Sequence, residues 1–266
     1  MLQRALQPRV AQLLDQFPAV AGAVRREEIS LGIVCPMANE SSSAIRFVEQ
    51  VLLQCTDLKQ ATLYVVLDRV SRDGTRELLE EFAREQTNLH VVWAPENRCV
   101  VDAYVRGYRE ALANGHDYIL EIDGGFSHQP EDIPKFLDAM EEGYDCVFGS
   151  RFISGGMIDK SSLVRKCISV AGSRLTNLLA GTNLRDMTSG FELFSRSALE
   201  MVLARGIQSR AHFFQTEIKY YCRHLNITEV PITYRAASPS VGKSSIEDAF
   251  RNLWKIARFN RNKESD

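Results

Sequence analysis

The sequence predicts an α/β fold: a doubly wound, mostly parallel sheet with helices on both faces and a helical extension on its C-terminal side. Short apolar runs alternate with helical patterns through the first half of the 266-residue chain. The runs are apolar throughout rather than at every second position, which implies burial on both faces and a parallel sheet under helices. With 45% hydrophobic and 25% charged residues, the chain has ordinary globular material for one large core.

The elements follow in order. LGIVCP (31–36) is a first strand, and the helix over 41–54 places Ile45, Val48, Val51 and Leu52 on one face. ATLYVVLD (61–68) is a second strand, and the next helix opens at Asp73 with Leu78, Leu79 and Phe82 inward. LHVVWAP (89–95) precedes a helix over 100–113, and DYILEID (117–123) precedes one over 130–142. DCVFGS (145–150) is a fifth strand. Helical patterns then cover 161–180, 195–204 and 214–225, with a late or edge strand at 229–235 and an amphipathic helix over 245–259. No linker or repeat divides the chain. Three segments are expected: a helical extension over 1–28, the main domain over 29–244, and a C-terminal helix and tail over 245–266.

A formal charge of −2 gives no support for nucleic acid as a partner. No apolar run reaches the roughly 18 residues of a membrane-spanning helix, and the first residues lack the apolar stretch of a secretory signal. The expectation is a cytoplasmic protein, at most peripheral at a membrane face. The cysteines at 35, 55, 99, 146, 167 and 222 form no C-x-x-C pair, so reduced thiols are expected and a zinc site is not.

In doubly wound sheets, ligands bind beyond the carboxyl ends of the strands. That rule selects 35–40, 68–75, 123–128 and 149–156, where polar and glycine residues concentrate. A dinucleotide-binding turn is excluded, because PMANESSS after the first strand has no glycine. Gly242-Lys243-Ser244 is a fragment of a phosphate-binding loop, but its first glycine would fall on Ala237 and at the wrong end of the sheet.

The motifs that survive are Pro36-Met37-Ala38-Asn39-Glu40, Asp68 through Thr75, Asp123-Gly124-Gly125-Phe126-Ser127-His128-Gln129-Pro130, and Gly149-Ser150-Arg151. Arg165, Ser169, Asp186-Met187-Thr188-Ser189-Gly190-Phe191, Phe214-Gln215-Thr216-Glu217 and the Gly242-Lys243-Ser244 loop follow. In this order they resemble the family 2 glycosyltransferases, more narrowly the polyprenyl- and dolichol-phosphate mannosyl- and glucosyltransferases, over about 31–259.

The resemblance implies a GT-A-like nucleotide-sugar fold and transfer of a sugar from a nucleotide-diphosphate donor to a polyprenyl-phosphate or other glycan-carrier acceptor. It implies a donor site of Pro36, Asn39, Glu40, Asp68, Arg69, Asp123, Gly124 and Gly125. Asp68 would read the base, since a carboxylate accepts from the N–H donors of a base edge. A divalent metal, Mg or Mn, would lie on Asp123 with Ser127 against the donor pyrophosphate, because hard cations favour oxygen ligands.

Two positions depart from the family. Gly125 replaces the second carboxylate of D-x-D, and Arg69 replaces the second carboxylate after strand two. Three arrangements stay open: a reduced metal site of Asp123, Ser127 and donor phosphates, a pyrophosphate neutralised by Arg69 instead, or lost donor chemistry.

On the acceptor side the resemblance implies that Arg151, Arg165 and Ser169 grip a phosphate, for which the planar guanidinium fork is suited. Arg165 and Ser169 stand four apart and face the same way on a helix. Asp186, Ser189, Gln215, Arg235 and Lys243 complete the acceptor set, and Asp123, Arg151 and Arg165 form the catalytic set. Gln215 and Glu217 cannot share a helical face, so one of them points to the site. Blander readings stand beside these: Asp73 as a helix cap, Ser189 to Phe191 as a tight turn, and 245–260 as a packed helix rather than a membrane-surface one.

The expected mechanism is a single displacement at the anomeric carbon. A phosphate acceptor is already anionic and requires no protein base. A hydroxyl acceptor would require one, with Asp186 or Glu217 as candidates. The third reading is a non-catalytic sugar-nucleotide-binding protein.

Overall fold

Residues 30–35 are buried without interruption, as their apolar run requires, and they form the centre of the sheet. The structure, a computed structural model, describes residues 23–159, 170, 172–178 and 181–235. Arg165, Ser169, Lys243, most of the expected N-terminal extension and the whole of the expected C-terminal helix lie outside the described residues.

The strands are β1 (Ser30–Pro36), β2 (Gln60–Leu67), β3 (Leu89–Trp93), β4 (Tyr118–Glu121), β5 (Cys146–Ser150), β6 (Met157–Asp159), β7 (Glu192–Ser195), β8 (Ile227–Pro231) and β9 (Thr233–Arg235). The helices are α1 (Ala44–Leu53), α2 (Thr75–Ala83), α3 (Val100–Ala113), α4 (Ile133–Glu141), α5 (Arg196–Arg205) and α6 (Phe213–Cys222). The main sheet has the order β3-β2-β1-β4-β7-β5-β8, and β6 pairs with β9 separately. Among the described residues, no helix is long and apolar enough to cross a membrane.

Successive side chains of β1 enter opposite layers. Ile33 and Cys35 pack with Phe47 of α1, Leu79 of α2 and Phe136 of α4. Val34 packs with Tyr104 of α3, Leu199 of α5 and Ile218 of α6. Each such side chain contributes roughly 1.5–3 kcal/mol by leaving water. Gly107 lets α3 lie directly on the sheet, because a Cβ there would sit 3.1 Å from Val66 Cγ2 and closer still to Val34 Cγ1.

The mostly parallel, doubly wound sheet expected from the sequence is present, with one strand reversed. β7 runs antiparallel to both β4 and β5 and separates them. The 229–235 segment is also two strands rather than one, broken at Ile232 between β8 and β9. Ser195 ends β7 and caps α5, its Oγ accepting from the Ala198 N–H at 3.3 Å.

From β1 the chain builds outward through β2 and β3, then crosses back to place β4 on the other side of β1. The loops after β1 and β4 therefore lie at the switch point of the sheet, the place where doubly wound folds bind ligands.

Candidate active site

The β1 and β2 loops are laced together. Asn39 adopts a left-handed φ of 57°, which asparagine tolerates better than most residues. Its Oδ1 accepts from the Arg72 N–H at 2.9 Å, and its Nδ2 donates to the Val70 carbonyl at 3.0 Å. Glu40 N–H donates to Thr75 Oγ1 at 2.8 Å, and Ser41 N–H donates to Asp73 Oδ2 at 2.9 Å. Asp73 also accepts from the N–H of Thr75, the first residue of α2, whose N-cap is Gly74. The Thr75 hydroxyl and the Ser41 N–H hold its carboxyl well below the usual carboxylate range. Asn39 and Asp73 thus fix the loop that presents Asp68. Asp68 is half-buried at the end of β2 and accepts from the Val70 N–H at 2.8 Å, with Arg69 exposed beside it.

Asp123 stands two residues after the end of β4, its side chain 41% exposed. Its Oδ1 accepts from the Tyr104 hydroxyl of α3 at 2.5 Å. Burial, and then the charge of Asp123, push that phenol well above its ordinary value, so it stays a donor. The Asp123 N–H donates to His128 Nδ1 at 3.1 Å. Burial lowers the pKa of His128, which is therefore neutral at pH 7 with its Nδ1 lone pair engaged. Its ring stacks on Phe191, with centroids 5.0 Å apart.

Between these residues the chain turns through two left-handed positions, Gly125 at φ 69° and Phe126 at φ 60°. Phe126 meets Phe47 edge-on at 5.1 Å and lies under the Arg46 guanidinium at 4.9 Å, so the β4 loop is packed on α1. The Ser127 carbonyl accepts from the Arg235 N–H at 2.9 Å, which brings β9 alongside. Arg235 itself is exposed.

The space a side chain would take at Gly125 is filled. A Cβ built there would lie 2.7 Å from Glu40 Cδ and collide with Oε1. Glu40 Oε2 accepts from Ser43 Oγ at 2.7 Å, which fixes the carboxylate. Among the described residues, no three His, Cys, Asp or Glu side chains converge on a metal position. The donors at hand are carboxylates from Asp123 and Glu40 with the Ser127 hydroxyl in the same loop. This hard oxygen set fits magnesium or manganese, which keep water and substrate phosphates as further ligands.

After β5, Arg151 pairs with Asp186. Arg151 Nε and Nη2 donate to Asp186 Oδ2 and Oδ1 at 2.7 and 2.8 Å, and Nη2 also reaches Thr188 Oγ1 at 2.6 Å. Burial opposes both charges, and the pairing outweighs it: Asp186 is lowered and Arg151 raised. The guanidinium lies 5.5 Å from the Tyr234 ring, and the charge of Asp123 also favours its protonated form. Ser189 is buried, its carbonyl accepting from Lys219 Nζ at 2.7 Å. Gln215 packs against Gly190, where a Cβ would lie 2.6 Å from its Cδ. Glu217 turns elsewhere, accepting from the Gln208 and Ser209 N–H groups and from Tyr221 OH at 2.6 Å.

The family model for glycosyl transferase family 2 matches residues 32–203, more than half of the chain. The chain is a family 2 glycosyltransferase. Over 172 residues it is 34% identical to the undecaprenyl-phosphate mannosyltransferase of Micrococcus luteus, covering 64% of this chain and 70% of that protein. The polyprenol monophosphomannose synthase of Mycolicibacterium smegmatis is 26% identical over 230 residues, with 85% of each chain covered. Among solved structures, the chain is similar to glucosyl-3-phosphoglycerate synthase from Mycobacterium tuberculosis in complex with Mn2+, UDP and phosphoglyceric acid. The TM-score is 0.62 at 15% identity, over 93% of this chain and 80% of that one, which shows a shared fold.

The glycosyltransferase also carries a buried polar cluster beneath the site that the sequence reading missed. Glu121 and Glu192 stand directly opposite in the β4–β7 ladder, both with no exposed surface. Opposed like charges destabilise a ladder, and here Lys219 of α6 pairs with Glu192 while Tyr108 OH donates to Glu121. Burial, then its glutamate neighbour, push Glu121 well above its usual value, and burial pushes Glu192 up to about 7.

A raised folded-state pKa stabilises below the unfolded value and loses that contribution as pH rises through the folded one. Unfolding free energy should therefore fall as pH rises from about 4.5 to about 7, by up to about 1.4 kcal/mol per pH unit for each of the two glutamates, with the Glu192 share levelling off above that. Urea denaturation across that window checks this, and Glu121→Gln should flatten the slope.

Tyr104 was also missed. Its signal was available, since Tyr104 and Tyr108 stand four apart on the inner face of α3, and buried phenols need polar partners.

Proposed function

We propose that this glycosyltransferase moves a sugar from a nucleotide-diphosphate donor to the phosphate of a polyprenyl phosphate by single displacement at the anomeric carbon. The observation that carries this reading is the state of the two carboxylates a hydroxyl acceptor would call on. Asp186 is held by both arms of Arg151, and Glu217 is occupied by two backbone N–H groups and a tyrosine. A phosphate oxygen needs neither, because it attacks as an anion. The activities named for the bacterial relatives point the same way.

In this reading Asp68 receives the base, and the Asn39 and Asp73 lacing holds it in place. Asp123, oriented by Tyr104, faces the donor pyrophosphate with Ser127 nearby. Arg151 offers positive charge on the acceptor side, with Ser189, Gln215 and Arg235 around it and Arg165, Ser169 and Lys243 contributed from outside the described residues. A magnesium or manganese ion on Asp123 would neutralise the charge that develops on the leaving diphosphate. The C-terminal 245–260 segment would rest on the cytoplasmic membrane face, where the lipid acceptor lies.

The test is transfer from a panel of radiolabelled nucleoside-diphosphate sugars to a short polyprenyl phosphate. Label should pass into the organic phase as an acid-labile lipid product. Transfer to sugar hydroxyls alone would overturn the lipid-phosphate assignment.

A further inference from the structure

We propose that Glu40 supplies the second carboxylate of the cation site, filling in space the position that D-x-D would give to residue 125 in sequence. The inference rests on the reading of a divalent cation at Asp123. Gly125 looks like the loss of a ligand when the chain is read linearly. In the folded protein its side-chain volume is taken by another acid, since a Cβ there would lie 2.7 Å from Glu40 Cδ. An aspartate at 125 and the present Glu40 carboxylate would compete for one place, and the chain puts its negative charge there from the β1 loop.

Glu40 is held for that task. Its Oε2 accepts from Ser43 Oγ at 2.7 Å, so Oε1 is the oxygen turned towards Gly125. Its own N–H is anchored on Thr75 Oγ1 at 2.8 Å. Phe126, next to Gly125, is clamped between Phe47 and Arg46 of α1, the helix that starts four residues after Glu40. The two loops therefore keep a fixed relation. The ligand chemistry is a small divalent cation that prefers oxygen, completed by water and phosphate. The second ligand is thereby moved onto the loop that Asn39 and Asp73 lace to the loop of Asp68, so cation and base recognition share one scaffold.

The experiment titrates Mn2+ alone into the full-length protein and follows free Mn2+ by electron paramagnetic resonance, with thermal melts to verify folding. Glu40→Gln keeps an oxygen for Ser43 and removes the charge. It should weaken Mn2+ binding by about tenfold or more, since even outer-sphere changes cost about 10- to 100-fold. Asp123→Asn should do the same. The double variant E40A/G125D returns a carboxylate to the vacated volume, and it should bind Mn2+ at least about tenfold more tightly than E40A. A gain of this kind cannot come from misfolding. Wild-type binding in E40Q, alongside loss in D123N, would overturn the role of Glu40 and leave the Asp123 site standing. Absence of Mn2+ binding by the wild-type protein would overturn both.

Discussion

Replacing Asp123 with asparagine should lower sugar transfer by about a hundredfold to a thousandfold, the range seen when one preorganised electrostatic contact is removed from a transition state. The substitution is nearly isosteric. Its retained Oδ1 can still accept from Tyr104 OH, which now lies 2.5 Å from the carboxylate. The Asp123 backbone N–H still reaches His128 Nδ1. Fold and melting temperature should therefore be unchanged, and the loss should appear in kcat with the nucleotide-sugar donor. Transfer at more than half the wild-type rate would place the donor site somewhere other than the switch point between β1 and β4. Tyr104→Phe provides a graded companion, because it frees the carboxylate without removing its charge.

The largest effect on stability should come from Asp186→Ala. Asp186 has no exposed side-chain surface, and its partner Arg151 is only 12% exposed. Removing one member of a buried pair leaves the other charge without compensation, which costs about 3–5 kcal/mol. That is a large part of the roughly 5–15 kcal/mol that holds a typical domain folded. The Thr188 N–H would also lose its acceptor. Urea denaturation should show a midpoint shift of that size, and the double replacement Arg151→Met with Asp186→Leu should recover much of it. Full additivity of the two single losses would mean that the pair is not coupled, contrary to the bidentate geometry.

The parallel half of the fold was legible because its physics is local. Short, mostly apolar runs such as ATLYVVL, bounded by turn residues and holding β-branched side chains, read as buried strands, and the helices between them show their inner faces by spacing. β7 was not legible as a strand. The segment ELFS begins with a glutamate, and in a linear reading an acidic residue argues for solvent. Only the register, which sets Glu192 against Glu121 with Lys219 beside it, shows why that charge is tolerated inside.

Site residues divide in the same way. Asp68, Asp123, Arg151 and Asp186 stand at strand ends or in motifs and could be named from sequence. That Arg151 and Asp186 bind each other across 35 positions is a tertiary fact, and so is the filling of Gly125's side-chain volume by Glu40.

The reversed strand has a consequence for biosynthesis. β4 is completed at Glu121, yet its outer neighbour β7 begins only at Glu192. With synthesis at about 5–20 residues per second, β4 spends several seconds as an open edge on a nascent chain. Open edges invite pairing with other chains, and an inward-pointing charge is one of the devices that discourages it. While water still reaches β4, Glu121 is an ionised glutamate that guards the edge. Once β7 docks, burial raises the pKa of Glu121 well above its ordinary value and disfavours that charge. The residue that strains the finished core at high pH is thus a guard for the unfinished one.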